Sequence, residues 1–170
     1  MEISKVDMTK QRSDLNLPGL QVSFYGIPKH KEVVLREIFT KACSLVPHWV
    51  EAINVSELDN DGDSSVAQVT AHIPYRFADI EIFPRMWSNT RTPEEMFWVL
   101  VHEILHIPIH QIVKPIQQLV DNYFDDGPAK DFIKETVVSA SEATVCDLTR
   151  SLQEFEQSIL EANRNKTKEN

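Results

Sequence analysis

The run Met96-Phe97-Trp98-Val99-Leu100-Val101-His102-Glu103-Ile104-Leu105-His106 constrains this chain more than any other stretch of its sequence. Thr92-Pro93-Glu94-Glu95 precedes it: a hydroxyl residue, proline next, and Glu three places on. That is a capping box with proline at the first helical position, so a helix is expected to start there. The helix is apolar nearly all round, which predicts burial. Three polar side chains on a buried helix need partners, because an unpaired buried charge costs several kcal/mol. A metal ion is one such partner.

His102 and His106 stand at i and i+4, one turn apart on one face, where two imidazoles can converge on a single ion. Glu103 points to the side, where it can take a proton from water that the metal activates. The pattern H-E-x-x-H therefore nominates His102 and His106 as ligands and Glu103 as the catalytic base. The competing reading is a pair of core histidines beside a salt-bridged glutamate.

A catalytic zinc site takes a third protein ligand. His110 lies one further turn along, but Pro108 between them is expected to kink or restart the helix. A later helix, about residues 130 to 161, carries Val138, Val145, Leu148, Leu152, Phe155 and Ile159 along one stripe. Glu142 stands where that stripe lacks a member, and a carboxylate on a buried face is anomalous unless it meets a cation. Glu142 is thus the preferred third ligand. His110 and Glu135 are the alternatives; Glu135 sits nearer the helix start, where the helix dipole favours an acid anyway.

The rest of the chain reads as strands and a helix followed by helices, which gives an α+β class. Residues 1 to 19 are polar, end at Pro18-Gly19 and read as a loose lead-in to a single domain over residues 20 to 162. Strands are expected at 20–25, 49–55, 66–72 and 78–83, and an amphipathic helix at 31–46. The acidic run Asp59 to Ser64 resembles a calcium loop but lacks its closing Glu, so Asp61-Gly62 reads as a hairpin turn. Residues 163 to 170 read as a disordered tail.

Composition bears on partners and place. Apolar residues make up 42% and charged ones 25%, as in an ordinary globular domain. A net charge of −9 argues against nucleic-acid binding, which needs a basic surface. There is no run of 18 consecutive apolar residues and no apolar signal region near Met1, so neither a membrane span nor secretion is expected. Cys43 and Cys146 then read as reduced thiols in a cytoplasmic protein.

With these residues in view, the chain resembles the gluzincin-like minimal metallopeptidases, and is similar to the short zincins encoded by phages and prophages. The resemblance covers roughly Val66 to Leu152. It rests on the strand Ala78-Asp79-Ile80-Glu81-Ile82-Phe83, on Val101 to His106, and on Glu142-Ala143-Thr144-Val145-Cys146-Asp147-Leu148. It implies a zincin-like fold with a small mixed sheet, in a bacterial or phage-infected cell. It implies a zinc ion held by His102, His106 and Glu142, with Glu103 as base. It also implies a sheet edge at Ala78, Asp79, Ile80, Glu81 and Ile82 along which an extended peptide would lie. The chain departs from the larger gluzincins, which place an Asp four residues after the ligand Glu; here that place is Cys146, and Asp147 follows it. The extended metzincin pattern fails at Ile109 and Ile112, and the histidine spacing of zinc endoribonucleases with a zincin-like site fails as well.

The expected activity is hydrolysis of a peptide or protein substrate. A second electrophile would come from His72, Tyr75, His110 or Tyr123. The rival is a zinc-binding interaction or regulatory module that cleaves nothing, or cleaves one dedicated partner. A purely structural zinc site fits poorly, since such sites are usually closed by cysteines and Cys43 and Cys146 lack the spacing. The sequence assigns no oligomeric state.

Overall fold

The computed structural model describes residues 11–58, 65–88 and 90–168. The expected turn at Asp59 to Ser64 and the first ten residues of the expected lead-in lie outside them. Among the described residues the order is β1 (Arg12–Leu17), β2 (Leu20–Tyr25), α1 (Lys29–Ala42), β3 (Ala52–Glu57), β4 (Ala67–His72), β5 (Phe77–Ile82), α2 (Pro93–Tyr123) and α3 (Pro128–Lys168). The chain is α+β, with one five-stranded mixed sheet and a long C-terminal helix. It divides into two compact units, residues 1–111 and 112–170.

The first unit holds the sheet, in the order β1-β2-β3-β5-β4. β2, β3 and β5 run parallel, and β1 and β4 are the antiparallel edges. β1 lies within the stretch expected to be a loose lead-in. It pairs with β2 through Leu17 opposite Leu20, around Pro18-Gly19. Gly19 has φ +73°, the left-handed conformation that a Pro-Gly turn requires and that glycine adopts without strain.

Strand alternation decides which face is the core. Val22 and Phe24, Ile53 and Val55, and Ala78, Ile80 and Ile82 are all buried on one face. α1 covers that face with Leu35, Ile38, Phe39 and Ala42, and the Phe39 ring meets Phe24 edge-on at 6.1 Å. The first half of α2 adds Leu100, Val101, Ile104 and Ile107, all fully buried. Lys31, at the start of α1, reaches Glu57 at the end of β3 and lies over the Trp87 ring at 5.0 Å.

The opposite face is polar. Ser23, Asn54, Asp79 and Thr70 align across β2, β3, β5 and β4. Asp79 accepts from Asn54 Nδ2 at 2.8 Å and meets His72 Nε2 at 2.8 Å. Glu81, 6% exposed, accepts from Gln68 Nε2. These carboxylates are paired across strands, where an interior strand leaves them little water.

That placement corrects one expectation. Ala78, Asp79, Ile80, Glu81 and Ile82 do not form a sheet edge: β5 lies between β3 and β4, and its backbone is paired on both sides. The edge nearest in the order is β4.

The second unit holds the end of α2 and all of α3. The short connection at residues 124–127 includes Gly127, and Lys130 bonds Asp121 and Asp126 across it. α3 stays helical to Lys168, through the first part of the expected tail. α2 is long and apolar enough to cross a membrane over one 18-residue window of mean hydropathy 1.3, although 33% of that window is buried inside the protein. Length and composition alone meet that test, and the core helix of a globular protein meets it too.

Candidate metal centre

α2 starts where its capping residues dictate. The Thr92 backbone N–H donates to Glu95 Oε2 at 2.6 Å, and the Glu95 N–H donates to Thr92 Oγ1 at 3.2 Å. Two amides that would otherwise be orphaned are thereby satisfied. The Thr92 amide bond, and then the Thr92 hydroxyl, hold the Glu95 carboxyl below the ordinary carboxylate range.

From that start α2 runs unbroken through Pro108 to Tyr123. The restart expected at Pro108 does not occur; proline removes one backbone bond, and the helical turns on either side continue. His102, His106 and His110 consequently lie in one row. The His102 and His106 Nε2 atoms are 3.1 Å apart, with their rings nearly perpendicular at 76°. The His110 ring lies 6.1 Å from that of His106. His106 and Glu103 are buried, at 7% and 8% exposure, and His102 is half-buried.

His102, His106 and Glu142 each offer one ligand atom, and these atoms all lie within 4.8 Å of one another. Among the described residues this is the group of three that could hold a metal ion. His110 and Glu135, the alternative ligands, are not members of it.

The reason given for Glu142 needs correction even though its position does not. Glu142 is exposed, and so are its stripe neighbours Val138 (46%) and Leu148 (43%). Only Val145 of that stripe is fully buried. The face carrying Glu142 is therefore not a buried apolar one, and the carboxylate's burial cannot be what marks it as a ligand.

The candidate second electrophiles separate by position. His72 Nε2 is engaged by Asp79, its ring stacks on Phe77 at 4.3 Å, and Tyr75 and Tyr123 are exposed. His110 shares α2 with the histidine pair. The His72–Asp79–Asn54 network itself was not legible as a cluster, since its members come from three strands whose order only the fold determines. Cys43 and Cys146 are free thiols.

No family model, curated protein or solved structure matches the chain.

The donor set can be tested against an ion. Two nitrogens bound to one tetrahedral zinc at about 2.0–2.1 Å lie about 3.3 Å apart. The observed 3.1 Å agrees with that spacing. A direct imidazole–imidazole hydrogen bond would give a similar distance, with one ring as donor and the other as acceptor. Two imidazoles and a carboxylate form a nitrogen and oxygen set that suits several divalent transition metals, zinc, iron, nickel and copper among them.

Proposed function

We propose that this chain is a zinc-dependent metallopeptidase, with His102, His106 and Glu142 holding the metal and Glu103 as general base. The observation that carries the reading is the His102–His106 nitrogen pair at 3.1 Å with a carboxylate in the same group. Zinc bound there would supply a Lewis acid that acidifies water and polarises a substrate carbonyl. The Glu103 carboxylate, buried and adjacent in sequence to a ligand, accepts a proton and passes it to the leaving amine. His110, on the same helix as the pair, is the second electrophile we favour. The substrate would be a peptide or protein, and the setting the cytoplasm of a bacterial or phage-infected cell, as the resemblance to small zincins implies.

One observation favours the rival. With β5 paired on both sides, the strand that was expected to receive an extended peptide is closed to strand addition. A metal-binding module that cleaves nothing, or one dedicated partner, needs no such edge.

Elemental analysis tests the metal centre first, on wild type and Glu142→Ala purified side by side without added metal. About one zinc per wild-type chain and a clear loss in the variant support the three-ligand site. Retention in the variant moves the third ligand to His110 or Glu135. No metal in either, even after zinc is added back, removes the peptidase reading. Casein hydrolysis and self-cleavage, with and without chelator, then separate the enzyme from the silent module.

A further inference from the structure

α2 holds two prolines, Pro108 and Pro115, inside one continuous helix. Each lacks a backbone N–H, so the carbonyls of Ile104 and Gln111, four residues earlier, lose their helical donor. Each proline ring also crowds the carbonyl it leaves unbonded. Seven residues is close to two turns, which puts both gaps on the same side of the helix. Weak points on one side bend a helix in the same direction, so their effects add.

Packing can hold a proline-bearing helix straight. Before Pro108 it is present: Val101, Ile104 and Ile107 are fully buried. Beyond Pro108 it stops. Every side chain from Pro108 to Leu119 is at least partly exposed, with Ile112 at 62% and Leu119 at 57%, and the next buried residue is Val120. The boundary of the two compact units falls inside this stretch, between Gln111 and Ile112. Missing backbone bonds, missing packing and a unit boundary therefore meet in one segment. Segments with few buried apolar side chains and weakened backbone bonding open at low cost. The same segment parts the candidate ligands along the chain: His102 and His106 precede Pro108, and Glu142 follows Val120.

We propose that α2 is hinged between Pro108 and Leu119, and that a metal held by His102, His106 and Glu142 restrains the hinge. The second half rests on the metal centre proposed above; the first does not. Ligands drawn from both sides of a hinge bind an ion best in the bend that brings all three donors to it. The ion therefore shifts the population toward that bend by its differential affinity, and without the ion other bends are populated as well. Loading of the metal, rather than folding of the chain, then fixes the angle of α2.

Pulsed electron paramagnetic resonance on the full chain tests both halves. Spin labels go on Thr70→Cys in β4 and Gln157→Cys in α3, both exposed positions, in a Cys43→Ser/Cys146→Ser background. The readout is the width of the label-to-label distance distribution, with zinc or with chelator. It is taken on this labelled protein and on the same protein carrying Pro108→Ala/Pro115→Ala or Glu142→Ala. Alanine is the best helix former and proline the worst, so the double alanine variant is expected to fold, checked by far-ultraviolet circular dichroism. The expected result is a distribution broad in chelator and narrowed by zinc, narrow in both conditions for the double alanine variant, and broad in both for Glu142→Ala. Equal widths with and without the two prolines in chelator overturn the hinge, whatever zinc does. A broad distribution that zinc fails to narrow overturns the restraint, and so does narrowing by zinc in Glu142→Ala. Elemental analysis of the sample that fails to narrow separates the two readings: bound zinc means that the ion sits without restraining α2, and no bound zinc means that the metal centre itself is wrong.

Discussion

The Nε2 atoms of His102 and His106 stand 3.1 Å apart on α2, one helical turn from each other, with His106 buried and His102 half-buried. If that spacing serves a metal, the protein should respond to one. Anything that binds the native state and not the unfolded state stabilises it by about 2.7 kcal/mol at a hundred times its Kd. Zinc is therefore expected to raise Tm in a saturable way, chelator to reverse the rise, and His106→Ala to remove it. A thermal scan showing the same zinc response in wild type and His106→Ala would place the binding elsewhere.

Glu103→Gln separates holding the metal from using it. The amide keeps the shape of the side chain and cannot accept a proton as the carboxylate does. Zinc content is expected to match wild type while hydrolysis of the substrate, once found, falls by about 10²–10⁴-fold. Full activity in Glu103→Gln would end the general-base assignment and leave the metal site standing.

Much of this was open to reading from the sequence, and what was not has a physical reason in each case. The Thr92–Glu95 box and the pair His102, His106 are local, so helical spacing alone places them. β1 escaped because its exposed positions Arg12, Asp14 and Asn16 are polar and its pairing with β2 is made by backbone groups that every sequence has. The edge at β5 was implied by the resemblance to zincins, and the sequence could not correct it, because alternation tells which face a residue occupies and never which strand lies beside it. Pro108 was read as a kink or restart because the loss of one backbone bond is local, whereas α2 continues through it with Ile104 and Ile107 buried just before it. Glu142 was reached through a stripe whose burial the structure does not bear out, so its proximity to the histidines depends on the fold and could not be derived from periodicity.

The capping box gives a pH-dependent prediction. Hydrogen bonds from Thr92 hold the Glu95 carboxyl below its ordinary value. A depressed folded-state pKa contributes stability that is fully present above the unfolded value, about 4.3. It is lost as pH falls through the lower, folded one. Glu95→Ala is therefore expected to lower Tm at pH 7 and to match wild type progressively more closely below about pH 4. Thr92→Ala removes the other half of the box and should cost about 1 kcal/mol, the usual loss for a helix N-cap. Equal Tm differences for Glu95→Ala at pH 7 and pH 3 would show that the carboxylate's charge is not what the cap uses.

Asp79 on β5 ties three strands together, and its removal should show coupling. Its two oxygens serve Asn54 of β3 and His72 of β4, each at 2.8 Å, with the His72 and Asp79 side chains only 19% and 18% exposed. Asp79→Ala leaves both partners half-buried with a bond missing, which costs about 1–3 kcal/mol for each stranded polar group. Asn54→Ala alone strands only one oxygen of Asp79. The double substitution should cost less than the sum of the two, by roughly 0.5–3 kcal/mol, because the second change removes a group the first had already left without its partner. Urea unfolding of the four proteins measures this directly. Zinc content should be the same in all of them, since no member of this network belongs to the His102, His106 and Glu142 group. Strict additivity would mean that the Asn54–Asp79 contact carries no net stabilisation in solution.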